Sequence, residues 1–371
     1  MNDCSITRPI IAEFSGRALR HNAQRAKACL PQGSQMLAVI KANAYGHGLM
    51  EVAERLAHDV KGFAILELAA AKRLREQGFR QPIVMLEGFF DPCELPVFSA
   101  LGLSTVIHCE AQIDALAKVH IEQPLDVFLK INTGMNRLGF PVNKSIDACE
   151  RLRALSQVRS VTVMTHFADA DNERGTAWQL KRLTDAWPLV NAQRLSFANS
   201  AALLSGPANR MLLGDLVRPG ILLYGSSPWG AANPAKTAQA LGLEPVMTLK
   251  SEIIGIQHLA AGERIGYGGS YVTEHPMTIG IVACGYADGY PRHASNQAPI
   301  LVNGTRTKVI GRVSMDMLCC DLSDIPTARI GSPVTLWGIG LPADEVAEAA
   351  GTIAYELFCA LATRVPRVWV D

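Results

Sequence analysis

The sequence predicts an α/β protein, with an N-terminal (β/α)8 TIM-type barrel and a C-terminal mostly-β domain. Three observations predict it. Up to about residue 235, short apolar runs alternate with amphipathic stretches, which is the texture of successive parallel βα units. Eight such runs can be counted, and eight favours a closed barrel over an open sheet. From about residue 236 the pattern changes to short β runs punctuated by glycine, which mark a separate packing unit.

Taken in order, the barrel strands are MLAVIK (36–41), FAIL (63–66), PIVML (82–86), STVIH (104–108), LDVFLKI (125–131), SVTVMTH (160–166), RLSFA (194–198) and DLVR (215–218). Most are apolar nearly throughout, as a strand covered on both faces must be. Between them, GRALRHNAQRAKACL, AAAKRLREQ, EAQIDALAKV and TAWQLKRLTDAW have helical spacing. ILLYG (221–225) reads either as a continuation of the last unit or as a helical turn. Residues 1–235 are therefore assigned to the barrel, with the first few residues able to join the β domain, and 236–371 to the β domain. AANPAKTAQA (231–240) reads as the linker. The second domain is built from GERIGYGG, TIGIVACGY, PILVNGTRTKVIGRVSMD and SPVTLWG, and short helices ADEVAEAAG and AYELFCALA come near the end.

Composition narrows the class. Of the 371 residues 49% are hydrophobic, enough to bury a core without covalent staples. A net charge of +1 without any basic stripe argues against nucleic acid as a partner. No apolar run approaches the roughly 18 residues of a membrane span. The opening MNDCSITRPI has neither a charged leader nor an apolar stretch, so no secretory signal is expected and the cytoplasm is. Nine cysteines without a CxxC pair suit a reducing compartment and argue against zinc. No metal is expected, and the adjacent Cys319 and Cys320 read as structural.

Barrel enzymes carry their chemistry at the C-terminal ends of the strands. Lys41 ends the first strand and is followed by Gly46 and Gly48. Alone, it would simply be a charge ending a strand in water. His166 ends the sixth strand, Asn199 and Ser200 follow the seventh, Arg218 ends the eighth, and Arg137 sits after the fifth. This convergence on one rim makes Lys41 a candidate functional amine. Asn199 and Ser200 can cap the helix that begins in AALLS, and a helix start suits a phosphate. On local sequence alone, ordinary capping explains them as well. Gly220, after Pro219, permits close backbone approach to an anion. A lysine, a phosphate site and an arginine together suggest pyridoxal 5'-phosphate held by a Schiff-base lysine.

The motifs KANAYGHG, KINTGMNRLGF, THFADAD, ANSAA, VRPGILLYG, GERIGYGG, GYADGYPR, GRVSMDM and AYELFCALATRVPR together resemble alanine racemase over nearly the whole chain. THFADAD and KINTGMNRLGF resemble the catabolic branch. The resemblance implies a homodimer whose C-terminal domain reaches the partner's site. It implies that Lys41 is the cofactor lysine and one catalytic base, and that Tyr267, from the second subunit, is the other. Tyr45, Ser200, Gly220, Ile221 and Tyr355 would hold the phosphate, with Asn199 and His166 also at the cofactor. Arg218 would face the pyridine nitrogen. Arg137 would contact the phenolic oxygen and the substrate carboxylate, and the backbone of Met315 would bind that carboxylate from across the dimer. Lys130, inside LDVFLKI, must find a partner or lose its charge. In many family members the matching lysine is carbamylated, and the alternative is a neutral or ion-paired strand lysine.

Racemisation removes a proton from one face of Cα and returns one to the other, so two opposed bases are the simple solution. Freeing a neutral lysine at pH 7 costs roughly 4–5 kcal/mol and a tyrosinate roughly 4 kcal/mol. Burial helps the lysine and hurts the tyrosine. Help for the tyrosine is expected from His166 linked to Arg218. Asn132 stands where many members have aspartate, Ser196 where many have histidine, and Ser314 where cysteine is frequent. Tyr286 and Tyr290 read as entrance or packing residues, Tyr224 as core, and His47 as a loop cap. Asp288 and Arg292 are expected to form a structural pair. A broader-specificity amino-acid racemase and a non-catalytic cofactor-binding protein remain alternatives. The second fits less well, because barrel-only carriers lack a domain holding Tyr267 and Met315.

Overall fold

A computed structural model describes residues 8–186, 194–205, 210–294 and 296–371. Residues 1–7, whose place in the β domain was left open, lie outside the described residues. The chain forms two compact units. One contains residues 23–44 and 48–223, and the other contains the chain up to Asn22, Tyr45–His47 and Tyr224–Asp371. Strand β1 (Ile11–Phe14) therefore belongs with the C-terminal part of the chain.

The first unit holds β2 (Gln35–Val39), β3 (Gly62–Ile65), β4 (Ile83–Met85), β5 (Leu103–Ile107), β6 (Leu125–Asn132), the short β7 (Phe140–Pro141), β8 (Val158–Met164), β9 (Arg194–Ser196) and β10 (Leu216–Val217). Leaving β7 aside, these are the eight runs read as strands. They pair in parallel in the order β10-β2-β3-β4-β5-β6-β8-β9, with β7 beside β6. Backbone bonds from Asp215 N–H to Leu195 O at 2.7 Å and from Arg218 N–H to Ala198 O at 2.9 Å link the last strand to β9. The sheet thus closes into a barrel. Helices follow from apolar spacing: Leu49–Leu56 buries Leu49, Val52, Ala53 and Leu56 on one face. ILLYG forms a helical turn, Ile221–Tyr224. Register aligns the strand ends that matter: Lys130 lies opposite Met164, and Met164 opposite Ser196.

The second unit contains β11 (Met247–Leu259), β12 (Arg264–Ile265), β13 (Tyr271–Val272), β14 (Met277–Val282), β15 (Pro299–Val302), β16 (Thr305–Ile310), β17 (Leu318–Asp321), β18 (Pro333–Trp337) and β19 (Arg367–Trp369). The order β14-β17-β16-β15-β18-β11 closes on itself because β11 also pairs β14. The long β11 does both jobs because irregularities at Leu249/Lys250 and Ile253/Gly255 re-aim it. β1 runs antiparallel to β11 and parallel to β19. Among the described residues no helix is long and apolar enough to cross a membrane.

One expected pair is corrected here. Asp288 is fully buried but binds Arg8 and Arg364, not Arg292. Two guanidiniums and the Gly285 N–H at 2.9 Å satisfy its carboxylate, and these bonds hold its pKa below the usual range despite burial. Arg292 instead donates to Val313 O and lies over the Tyr286 ring. Tyr290 is core, stacked on Trp337, while Tyr286 stays 39% exposed.

Candidate active site

Five cationic or imidazole groups gather at one rim of the parallel barrel. Lys41 follows β2, Lys130 lies near the end of β6, Arg137 sits in the next loop, His166 follows β8, and Arg218 follows β10. Lys130 is buried, and its pKa is lowered to about 8, first by desolvation and then by Arg218, Arg137 and Lys41, with Glu87 opposing the shift. His166 is pushed well below the ordinary imidazole range, by burial first and then by Arg218, Lys130, Arg137 and Lys41. Its ring is therefore neutral at pH 7.

Arg218 is the best-anchored of the five. Its NH1 donates to Ser196 O at 2.7 Å and to Ser196 Oγ. NH2 donates to Thr165 O at 2.7 Å and Phe197 O at 3.3 Å. The Nε–H takes part in none of these bonds. Burial lowers its pKa to about 10, so the charge survives at pH 7. The expected link from His166 to Arg218 is not a hydrogen bond. Carbonyls and Ser196 take the guanidinium, and its charge, after burial, helps keep the His166 ring neutral. Cationic help from His166 is disfavoured for the same reason. Ser196, noted as a departure, turns out to be Arg218's direct partner.

The loop after β6 is organised by Asn132. Its Oδ1 accepts from Gly134 N–H and Asn136 N–H, each at 3.0 Å, and this holds the turn that leads to Arg137. Asn199 caps the short helix Ser200–Leu204 by accepting from Ala202 N–H at 3.0 Å. Ser200 Oγ accepts from Gly220 N–H at 2.9 Å and Leu222 N–H at 3.5 Å. A hydroxyl that accepts from two amides still has its own proton to give. Ile221, the next residue, is fully buried.

The remaining predicted residues lie in the other unit. Tyr45 is buried and stacked on Tyr224 at 4.8 Å, with Tyr355 at 5.9 Å. Desolvation, then Cys359, raises its pKa, so it stays a neutral phenol. His47 Nδ1 bonds Tyr45 O at 2.8 Å. Tyr267 stands on the turn Tyr267–Gly269 between β12 and β13 and is 68% exposed. Met315 is 53% exposed. Its carbonyl accepts from Ala287 N–H, and Ser314 O accepts from Tyr286 N–H. A Cβ on Gly285 would lie 2.3 Å from Met315 O, so this close approach requires glycine.

Sequence reading missed Glu87 and His108. His108 bonds the Glu87 backbone, and burial first, then Lys130, lowers its pKa. The signal available was modest: His108 ends STVIH just as His166 ends its strand.

Comparison with known proteins identifies the family. The profile "Alanine racemase, N-terminal domain" matches residues 15–228, and "Alanine racemase, C-terminal domain" matches residues 246–369. A protein named alanine racemase from Acidovorax sp. (strain JS42) is 50% identical over 369 residues, covering 98% of this chain and 100% of the relative. The crystal structure of a biosynthetic alanine racemase from Pseudomonas aeruginosa has a TM-score of 0.92 and 44% identity, covering 98% of this chain and 100% of that one. A Bartonella henselae alanine racemase structure with covalently bound pyridoxal phosphate has a TM-score of 0.84 and 26% identity, with 98% and 99% covered. Matched along nearly its whole length, the chain belongs to the alanine racemase family.

Proposed function

We propose that this chain interconverts L- and D-alanine with pyridoxal 5'-phosphate, acting as a homodimer in the cytoplasm. Supporting it is one observation above all: Lys41, Lys130, Arg137 and Arg218 share a rim, and among the main electrostatic influences of the described residues on Lys130 and His166 the one carboxylate is Glu87. Such an excess of cations calls for an anion. A phosphate and a substrate carboxylate supply negative charge there, and the Ser200 hydroxyl proton and the Arg218 Nε–H are donors left to give. The donor set thus fits the cofactor.

When bound, pyridoxal phosphate supplies the electron sink that makes the Cα proton removable. This chain's own residues do the rest. Lys41 would hold the cofactor covalently and move the proton on one face. Ser200, Gly220, Ile221, Tyr45 and Tyr355 would take the phosphate. Arg218 would point its Nε–H at the ring nitrogen and, staying charged, would keep that nitrogen from taking a full proton. Arg137 would orient the carboxylate. The partner subunit's copy of Tyr267 would handle the proton on the opposite face, and the partner's copy of Met315 would offer backbone to the carboxylate. Neutral His166 can aid that phenol only through hydrogen bonding. The relative from Pseudomonas aeruginosa is described as biosynthetic, so the catabolic resemblance of two motifs gains no support from it.

The test is Cα–H exchange in deuterated water with the cofactor-loaded protein. L-Alanine is expected to yield deuterated D-alanine, and Lys41→Ala and Tyr267→Phe to lose that conversion by at least about 100-fold. A panel of serine, lysine and arginine separates a narrow racemase from a broad one. No exchange with any amino acid would leave only a cofactor-binding protein.

A further inference from the structure

We infer that Gln179, Thr133 and Thr165 form a hydrogen-bonded clamp that positions the Arg137 loop for carboxylate recognition, a role that rests on the reading of Arg137 above. All three side chains are buried, at 0%, 1% and 1% exposure. Thr165 Oγ1 donates to Ile131 O at 2.9 Å. Its single proton is thereby used, so in the 2.8 Å contact between the two threonine hydroxyls Thr133 must donate. Thr133 Oγ1 then accepts from Gln179 Nε2 at 2.8 Å. The direction is fixed: amide to hydroxyl, hydroxyl to hydroxyl, hydroxyl to carbonyl.

Gln179 has further bonds. Nε2 also donates to His166 O at 3.1 Å, and Oε1 accepts from Ala168 N–H at 2.7 Å. One side chain from the first turn of the helix Ala177–Ala186 therefore ties the end of β6 to the end of β8. The network also meets Arg218, whose NH2 donates to Thr165 O.

Trp178, the neighbouring residue, tightens the same loop from outside. A Cβ on Gly134 would lie 2.2 Å from the Trp178 ring, and Gly134 has φ +142°. The indole Nε1–H holds Asp169 at 3.1 Å, and Arg174 lies 3.8 Å above the ring. The stretch from Thr133 to Arg137 is thus held at its start by Thr133, across Gly134 by Trp178, and through Gly134 and Asn136 by Asn132. Apolar side chains could fill this volume. A fully satisfied polar network instead selects one arrangement of the two strand ends.

The experiment measures propionate, a non-reacting carboxylate, binding to cofactor-loaded enzyme by calorimetry, with KM and kcat for alanine beside it. Thr133→Val and Gln179→Leu are expected to weaken propionate on the order of tenfold and to raise KM in step. Cofactor absorbance is expected to be retained. Thr133→Ser, which restores the hydroxyl, is expected to bind propionate within about twofold of the parent. Arg137→Ala is the control and is expected to weaken propionate at least as much. Unchanged affinity in Thr133→Val and Gln179→Leu beside a weakened Arg137→Ala would overturn the clamp and leave the reading of Arg137 standing. Thr133→Ser failing as badly as Thr133→Val would also overturn the clamp. Unchanged affinity in Arg137→Ala would overturn the reading itself, and the clamp's role with it.

Discussion

Lys130 shows how one buried charge links stability to chemistry. Its folded pKa of about 8 lies below the ordinary 10.5. Between those values the unfolded chain binds the proton more tightly than the folded one, so stability rises with pH across that window. Below about pH 8 the full penalty applies, about 3 kcal/mol. Lys130→Met is therefore expected to be more stable than the parent at pH 7 in carbon-dioxide-free buffer. The advantage should shrink to nothing by about pH 10.5, as denaturant melts across that range would show. A constant difference would mean that the amine carries no folded-state penalty. The same shift leaves roughly a tenth of Lys130 neutral at pH 7, against about three in ten thousand for an ordinary lysine. Only the neutral amine attacks carbon dioxide, and the resulting anion would balance Arg137 and Arg218. Bicarbonate is therefore expected to add one carbon dioxide to the native mass, and not in Lys130→Met. The charged position was legible because a lysine stands out inside LDVFLKI. Glu87 and His108 were not, since they approach it from other strands.

At the scale of elements, the parallel strands were the most legible part, because strands covered on both faces are nearly unbroken apolar runs. The stretch after Lys41 was the least. Ala42, Asn43, Ala44 and Tyr45 all take φ of 51–53°, a left-handed turn. Nothing in KANAY signals this, since alanine is the strongest right-handed helix former. Each alanine there costs roughly 1–2 kcal/mol. Compensation comes from Ala44 N–H to Ile40 O and Gly48 N–H to Asn43 O, each at 3.0 Å. Asn43 Oδ1 also accepts from Leu49 N–H at 2.8 Å, where the next helix begins. Strain placed beside Lys41, the proposed cofactor lysine, would fix where its stem leaves the strand. Ala42 is exposed, so Ala42→Gly should relieve strain without a cavity and stabilise the protein by about 1 kcal/mol. Ala42→Val should destabilise it by at least that much. Equal denaturation midpoints for Gly, Ala and Val would show that the turn carries no strain. Gln179 was hidden for another reason. On TAWQLKRLTDAW it reads as a solvated polar position, and its burial depends on Thr133, 46 residues away.

For the whole molecule, the mostly-β character of the C-terminal part was legible, with β11 to β19 all lying past residue 246, but the place of β1 was not. IAEF is too short to show which sheet it joins, and only its pairing with β11 and β19 decides. The proposed catalytic pair is likewise divided between the units: Lys41 belongs to one and Tyr267 to the other. Tyr267 at 68% exposure and Met315 at 53% are large apolar side chains facing outward, as residues completing a partner's site would be in an isolated subunit. A two-fold dimer would repeat the arrangement, giving two sites that each draw Lys41 from one subunit and Tyr267 from the other. Co-expressing Lys41→Ala chains with Tyr267→Phe chains tests this directly. Random pairing makes about half the dimers mixed, and each mixed dimer has one site with both residues native and one with neither. Two inactive parents should therefore give a mixture with about a quarter of the native racemase activity. If each site were built within a single subunit, every site in the mixture would lack one base and no activity would return.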